Sequence, residues 1–373
     1  MEFTVSKADL VRELGLSQGV VEKKTTIPIL SNVLIEAVDD RIILTATDLE
    51  LGIRCSCPAR VKKEGSGTVP ARKLLDFVRL LPEGDVNIKF LDNHWASITA
   101  GRSRTRIAGM SRESFPELPQ MPPKIAELPV KVVASMIERT QFAISMEESR
   151  FTLNGALLLM TPEALTMVAT DGHRLAYVQA KSAEAVNAEV NFRALIPKKA
   201  LAEIVKLADG ADGENAKANF AGDENHLFFE VGHRLLITRK LTGNFPDFER
   251  ALPKDHTQVA TLQKDEIKAA IERVAQFADE RSRAIRVQFT NGEVKIFSQS
   301  VEMGESEESV NSEYTGPDLE IGFNAQYLLD FLRSIAQSQV AFELKDQKSA
   351  GELRPAGEGI TDQYRYVVMP MRI

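Results

Sequence analysis

Two helix-forming segments recur three times, in the same order, along a chain of 373 residues. Such internal repetition constrains the fold more than any composition does. The first type follows a short strand-like run. Phe3–Leu10 leads into Leu14, Leu128–Val133 leads through Met136 and Ile137, and Ala260–Ile267 leads through Ile271 and Val274. Ser6, and Gln263 or Asp265, stand as polar helix-start residues. The second type is Val69–Val78, Ile196–Val205 and Gly322–Phe331. Pro70 and Pro197 suit a helix start, where the missing N–H would be unpaired anyway. Leu74, Leu75, Val78 and Leu81 form an apolar stripe at helical spacing, as do Leu201, Ile204, Val205 and Ala208.

The spacing predicts two amphipathic helices per repeat, with alternating strands between them. Val86–Phe90 pairs with Trp95–Ala100, Leu227–Val231 with Leu235–Arg239, and Val287–Phe289 with Val294–Phe297. Asp92-Asn93, Gly222–Asn225 and Asn291-Gly292 supply hairpin turns. The first two repeats end alike, in Phe115-Pro116-Glu117-Leu118-Pro119 and in Phe245-Pro246-Asp247-Phe248 followed by Leu252-Pro253. The boundaries expected are 1–122, 127–252 and 253–373, with Met121-Pro122-Pro123 in the first linker. The fold class is α+β: three tandem domains, each a sheet with helices on one face. The length accommodates three cores of that size.

Cys55 and Cys57 lie one residue apart on a strand, point the same way and cannot form an ordinary disulfide there. No second Cys or His pair completes a zinc site. A reducing cytoplasmic setting follows. The first residues do not resemble a signal peptide, and no apolar run approaches the roughly 20 residues of a membrane helix. No membrane partner is expected.

A net charge of −7 argues against general attraction to phosphate. Distribution argues the other way. Arg72, Lys73 and Arg79 fall on the polar side of one second-type helix, Lys198, Lys199 and Lys206 on the next, and Arg333 on the third. Lys7, Arg12, Lys131, Arg139, Lys264, Lys268 and Arg273 add to the other helices, and Glu22-Lys23-Lys24-Thr25 is a basic turn. Acids collect elsewhere, at Glu302, Glu305, Glu307, Glu308 and Glu313. Any one helix is explained as an ordinary solvated face. The bias shared by three repeats suits loose, sequence-independent phosphate contact. No aromatic platform for single strands accompanies it.

The densest cluster of functional side chains is Ala169-Thr170-Asp171-Gly172-His173-Arg174-Leu175-Ala176, and a stripped copy, Ala46-Thr47-Asp48-Leu49-Glu50-Leu51, precedes it by 123 residues. Asp171 and His173 could orient and accept a proton, yet no Gly-x-Ser-x-Gly elbow, Walker loop or Gly-x-Gly-x-x-Gly loop accompanies them. His94, His173, His226, His233 and His256 show no metal-ligand spacing. Asp171 alternatively fits a turn acid holding backbone amides, and Gly172 a positive φ. The chain reads as a non-enzyme without cofactor or metal. Its C-terminus, Tyr366-Val367-Val368-Met369-Pro370-Met371-Arg372-Ile373, is apolar almost to the end. Proline stops the strand, and methionines suit an adaptable groove.

The segments at 69–73, 169–176, 245–248 and 366–372 resemble the bacterial sliding clamps, the beta subunits of DNA polymerase III, and the resemblance runs the whole length. It implies three clamp-fold domains with sheets outside and helices inside. It also implies a head-to-tail homodimer closed into a ring around double-stranded DNA. Partners implied are the polymerase III alpha subunit, the clamp loader and other clamp-motif proteins, docking peptides in a groove between the second and third domains.

Carried over by position, the groove comprises Leu153, Thr170, Gly172, His173, Arg174, Leu175, Pro246 and Arg250, walled by Val367, Val368, Met369, Pro370, Met371 and Arg372. DNA contact falls to Lys24, Arg72, Lys73, Arg79, Lys198 and Lys199. The dimer contact pairs Arg102, Arg104, Arg106 and Ile107 with Gln276, Phe277, Glu302 and Glu305. Thr105 and Gln276 replace apolar family residues, so charge complementarity contributes more to that contact than apolar burial does. The competing expectation is a three-domain interaction scaffold that never encloses DNA.

Overall fold

The computed structural model describes residues 1–22, 26–181, 191–211, 213, 215–301 and 303–372. A single element pattern runs through it three times: strand, helix, four strands, helix, three strands. The helices are α1 (Lys7–Ser17), α2 (Ala71–Leu80), α3 (Val130–Glu138), α4 (Lys198–Asp209), a single turn α5 (Phe248–Ala251), α6 (Lys264–Val274) and α7 (Ala325–Ser334). The first repeat adds one short strand, Arg60–Lys63, before α2.

Local chemistry explains the helix starts. The Ser6 hydroxyl accepts a bond from the Asp9 N–H, and the Asn324 side chain accepts from Gln326 and Tyr327. Gln263 caps nothing through its side chain, and Asp265 lies inside the first turn of α6. Pro70 stands one residue before α2, at the cap, rather than within it.

One expectation is corrected. The hairpins at 85–100 and 226–239 follow the second helix of their repeats instead of lying between the helices. In the third repeat Gln339–Leu344 and Gly351–Ala356 pair after the second helix, whereas Ala284–Thr290 with Glu293–Ser300 does lie between helices. Short alternating runs look alike wherever they fall, so periodicity alone does not order them.

Among the described residues the strands form four antiparallel sheets, and two of them cross repeat boundaries. Leu51–Pro58 of the first repeat pairs with Arg234–Arg239 of the second, in the register Arg234 opposite Cys55. Arg174–Lys181 of the second pairs with Gln363–Val368 of the third, Leu175 opposite Val367. The same strand of one repeat thus meets the last strand of the next, twice. Two compact units result, and they do not coincide with the sequence repeats. One is built on Met1–Ala134 with Lys199–Lys240, and the other on the rest of the described chain.

Within the first unit, α1 and α2 bury Leu10, Leu14, Leu74, Leu75 and Val78 against two sheets that contribute Phe3, Val5, Ile35, Leu44, Val86 and Ile98. Cys55 and Cys57 are free, buried in this core and side by side on one face of their strand. Burial pushes the Cys57 thiol up to about 12, so it is unreactive at neutral pH.

A buried ion pair crosses the same core. Arg234 donates to both Glu13 oxygens, at 2.9 and 2.8 Å, and Glu13 is fully buried. Burial alone would raise this carboxyl's pKa, but the bonds from Arg234, Arg12 and His233 overcome it and hold it at about 2. Arg234→Ala removes both guanidinium bonds from the buried Glu13 and leaves its charge to Arg12 and His233, which costs about 3–5 kcal/mol. For a unit of this size the melting midpoint should fall by roughly 6–20 °C. Because the folded pKa lies below the ordinary 4.5, the pair's contribution is complete above about pH 4.5 and disappears as pH falls toward 2. Thermal melts of Glu13→Gln across that window should show a flatter acid limb; an unchanged limb would exclude Glu13 as its source.

Candidate functional site

The Thr170–Arg174 segment folds as a tight turn between Ala164–Thr170 and Arg174–Lys181. Asp171 Oδ1 accepts the N–H groups of His173 and Arg174 at 2.9 and 3.1 Å, as expected of a turn acid. Thr170 Oγ1 accepts from Gly172 N at 3.1 Å and donates to Arg174 O at 2.6 Å. Gly172 has φ +91°, and a Cβ there would stand 2.9 Å from Arg150 Nη1, which bonds the Asp171 carbonyl. Asp171 is committed to the backbone and to Arg174, and His173 is exposed.

Arg174 is the fixed point of the turn. Its Nε donates to Asp171 Oδ2 at 3.0 Å, Nη1 to Asp330 Oδ2 at 2.6 Å, and Nη2 to the Phe142 carbonyl at 2.5 Å. The guanidinium lies over the Tyr327 ring, 4.3 Å from its centroid. Burial opposes its charge, but Tyr366, Asp330 and Asp171 outweigh burial and raise its pKa above the ordinary guanidinium value. Arg174 therefore supplies a rigid wall, with its charge already spent inside the protein.

Against that wall lies a cavity of about 210 Å³. Leu153, Thr170, Gly172, His173, Arg174, Leu175 and Pro246 line it together with Val367 and Met369. Its floor belongs to an apolar cluster that includes Leu157, Val168, Leu195, Phe245 and Leu252. The Met369 N–H bonds the His173 carbonyl at 2.9 Å, which fastens the C-terminal wall to the turn.

Five of the expected groove residues do not line this cavity. Strand alternation turns Val368 into the core while Val367 and Met369 face the cavity. Pro370, Met371 and Arg372 run past it, with Met371 N bonded to Gly322 O at 2.8 Å. Arg250 points to solvent, its side chain 88% exposed and paired with Asp247. Asp247, Phe248 and Ala251 do line the cavity and were missed. Phe248 sits in the recognised Phe-Pro-Asp-Phe motif, but α5 is one turn long and gives no periodicity from which to read its direction.

The stripped copy adopts the same turn. Asp48 Oδ1 accepts from Glu50 N and Leu51 N at 2.9 and 2.6 Å, and Thr47 Oγ1 from Leu49 N at 3.0 Å. Leu49 takes the glycine's place at φ +79°. Arg239 N bonds Glu50 O at 2.8 Å, matching Met369 and His173. Gly52 stands where Leu175 does, with Leu118 packed onto it.

Of the phosphate candidates, Arg72, Lys73 and Arg79 are exposed on α2. Lys198, half-buried at the start of α4, has its pKa lowered by burial and by the charge of Arg174. Lys199 is paired with the Asp48 carboxylate and donates to Val20 O at 3.3 Å. Among the dimer candidates, Arg102, Arg104 and Arg106 are exposed, while Ile107 is turned into the core, 3% exposed, by the alternation of its strand. Gln276 and Glu305 are exposed and Phe277 is half-buried in the 3-10 turn after α6. Lys24 and Glu302 lie outside the described residues.

His256, Glu343 and Glu352 come within metal-ligand distance of one another. However, Glu352 Oε1 takes Nε of Arg354 and Arg365, and Oε2 takes Arg365 Nη2, so the group is an ion-pair network. Among the described residues no helix is long and apolar enough to cross a membrane.

Three family models match the chain: "DNA polymerase III beta subunit, N-terminal domain" over 1–119, its central domain over 127–247 and its C-terminal domain over 249–372. A beta sliding clamp of Pseudomonas aeruginosa is 35% identical over 376 residues, covering 100% of each chain. One of Chlamydia muridarum is 33% identical, covering 100% of this chain and 99% of its own. The crystal structure of the Pseudomonas aeruginosa clamp bound to griselimycin superposes with TM-score 0.93 over 100% of each chain at 33% identity. The Bacillus subtilis polymerase sliding clamp gives 0.93 at 26% identity, covering 100% of this chain and 99% of that one.

Arg174→Ala should leave Asp330 and Asp171 without their cation and lower stability by about 3 kcal/mol. Arg174→Lys should recover only part of that, because an ammonium cannot bridge two carboxylates and a carbonyl in one plane. Denaturant unfolding of the two variants checks this; equal stability of Ala and Lys variants would refute the bridging role.

Proposed function

Because the chain belongs to the DNA polymerase III beta subunit family, we propose that it is a DNA sliding clamp and processivity factor: a homodimeric ring that encircles duplex DNA. It tethers the replicative polymerase and other replication and repair proteins. Its three repeats, 1–122, 127–252 and 253–373, serve as the clamp domains. The chain acts as a tether in the cytoplasm and catalyses nothing.

One observation carries the ring. Each repeat joins the next through the same pair of strands, and that rule leaves one strand of each kind unused. Ser103–Ala108 is an edge of the five-stranded sheet, and Gly304–Asn311 is an edge of the four-stranded one. The first reads Ser-Arg-Thr-Arg-Ile-Ala and exposes Arg104 and Arg106; the second reads Gly-Glu-Ser-Glu-Glu-Ser-Val-Asn and exposes Glu305 and Glu307. Exposed sheet edges are templates for pairing, and opposite charges select this pairing over edge-to-like-edge contact. A second copy, met head to tail, satisfies both edges in a closed arrangement. Arg102 flanks the contact, as do Gln276 and Phe277.

The cavity beside the Thr170–Arg174 turn is the partner groove. Its apolar floor and Met369 rim suit short peptides with apolar anchors. Its residues are Leu153, Thr170, Gly172, His173, Leu175, Pro246, Phe248, Val367 and Met369. Arg72, Lys73, Arg79 and Lys198 give shallow, sequence-independent phosphate contacts, weak enough for sliding.

The protein should be retained on nicked circular DNA and lost once the circle is cut. Arg104→Glu with Arg106→Glu should abolish retention, and mixing with a Glu305→Lys, Glu307→Lys chain should restore it. Equal retention on linear and circular DNA would favour a scaffold that never encloses DNA. Separately, removing Met369–Ile373 should weaken binding of a clamp-motif peptide at least tenfold, about 1.4 kcal/mol, while the native mass stays that of a dimer. Unaltered peptide affinity would refute the groove assignment.

A further inference from the structure

Lys199, a DNA-contact candidate on α4, has its charge already answered within its own unit. Its ammonium pairs with the Asp48 carboxylate and also bonds the Val20 carbonyl, just past the C-terminal end of α1. The carboxylate is the less mobile partner. Its side chain is 6% exposed against 46% for Lys199, and its Oδ1 is fixed by the Glu50 and Leu51 amides. Asp171, its counterpart in the second repeat, spends the equivalent oxygen on Arg174 of its own turn. Leu51 stands where Arg174 does, so the first turn has no cation of its own and Asp48 takes one from α4.

We propose that Asp48 is a positioning residue for DNA contact: it holds Lys199 back from the phosphates and so sets how strongly this face grips the duplex. The proposal rests on the sliding-clamp reading and on α4 facing DNA. A clamp must bind phosphate yet slide, and each phosphate neutralised steepens the dependence of binding on salt by about 0.9 in log–log slope. Withholding one ammonium keeps that slope shallow without removing the lysine. The acids close to the pair in sequence have cations of their own: Glu50 is paired with Arg239, and Glu203 with Lys206.

The test is equilibrium binding of the full-length dimer to a short linear duplex across a salt series. Asp48→Asn keeps the amide-accepting oxygen of the turn and removes the charge that holds Lys199. Its slope should steepen by about 0.9, and its advantage over the parent should shrink about threefold between 50 and 200 mM salt. The change should vanish when Asp48→Asn is compared with the parent in a Lys199→Gln background, and Asp48→Glu should behave as the parent. A purely structural role for Asp48 would instead show as a lower melting temperature with no change in slope. An unchanged slope overturns the proposal. So does a steepening that survives in the Lys199→Gln background, which would mark a general charge effect. If Arg72→Gln with Lys73→Gln and Lys198→Gln also leave binding unaltered, the DNA-facing reading itself fails, and that outcome is distinct from failure of the Asp48 proposal alone.

Discussion

Antiparallel pairing between one strand of a repeat and the last strand of the next is the constraint on which the rest of this structure depends. Leu51–Pro58 with Arg234–Arg239, and Arg174–Lys181 with Gln363–Val368, convert three modules into continuous sheets. An edge strand left open exposes a row of unpaired N–H and C=O groups; pairing satisfies them and commits adjacent repeats to one another. This is why the compact units form around the junctions rather than around the repeats. It also creates the cavity, since Val367 comes to lie opposite Leu175 only through that ladder.

The two junctions share a backbone and differ in side chains. Both carry a threonine hydroxyl and an aspartate that close the same turn, and both receive an N–H from the end of the next repeat's last strand or the residue just after it. In the second, Leu175 and Phe248 frame an open cavity, and Arg174 stiffens it through two carboxylates and a carbonyl. In the first, glycine at 52 lets Leu118 close onto the strand, and the free oxygen of Asp48 turns to Lys199. One fold element thus yields a binding groove in one place and a charge-holding contact in another. The difference lies in a few side chains.

Much of this was legible in the chain. The long helices of the repeats follow from apolar stripes such as Leu74, Leu75 and Val78, which pack as their spacing requires. The turn around Asp171 and the positive φ of Gly172 follow from residue chemistry. Less legible was the role of Arg174. Its position beside His173 suggests an available cation, yet Asp330 lies 156 residues away and Phe142 lies 32 away. No local pattern announces such partners. The inward turn of Val368 and Ile107 is hard to read for a simpler reason: each sits on a strand whose inward face is fixed by the sheet it joins.

The sequence by itself determined the repeated module, its helices and turns, and the separation of basic from acidic segments, because these depend on residue periodicity and on bonds between near neighbours. Only the tertiary structure decided which strands pair across repeats, which residues reach the cavity, and which charges are consumed internally. Glu13 meets Arg234 across 221 residues, and Asp48 meets Lys199 across 151. Contacts at that separation exist only once the sheets are assembled, since register and strand order, not local propensity, bring the partners together.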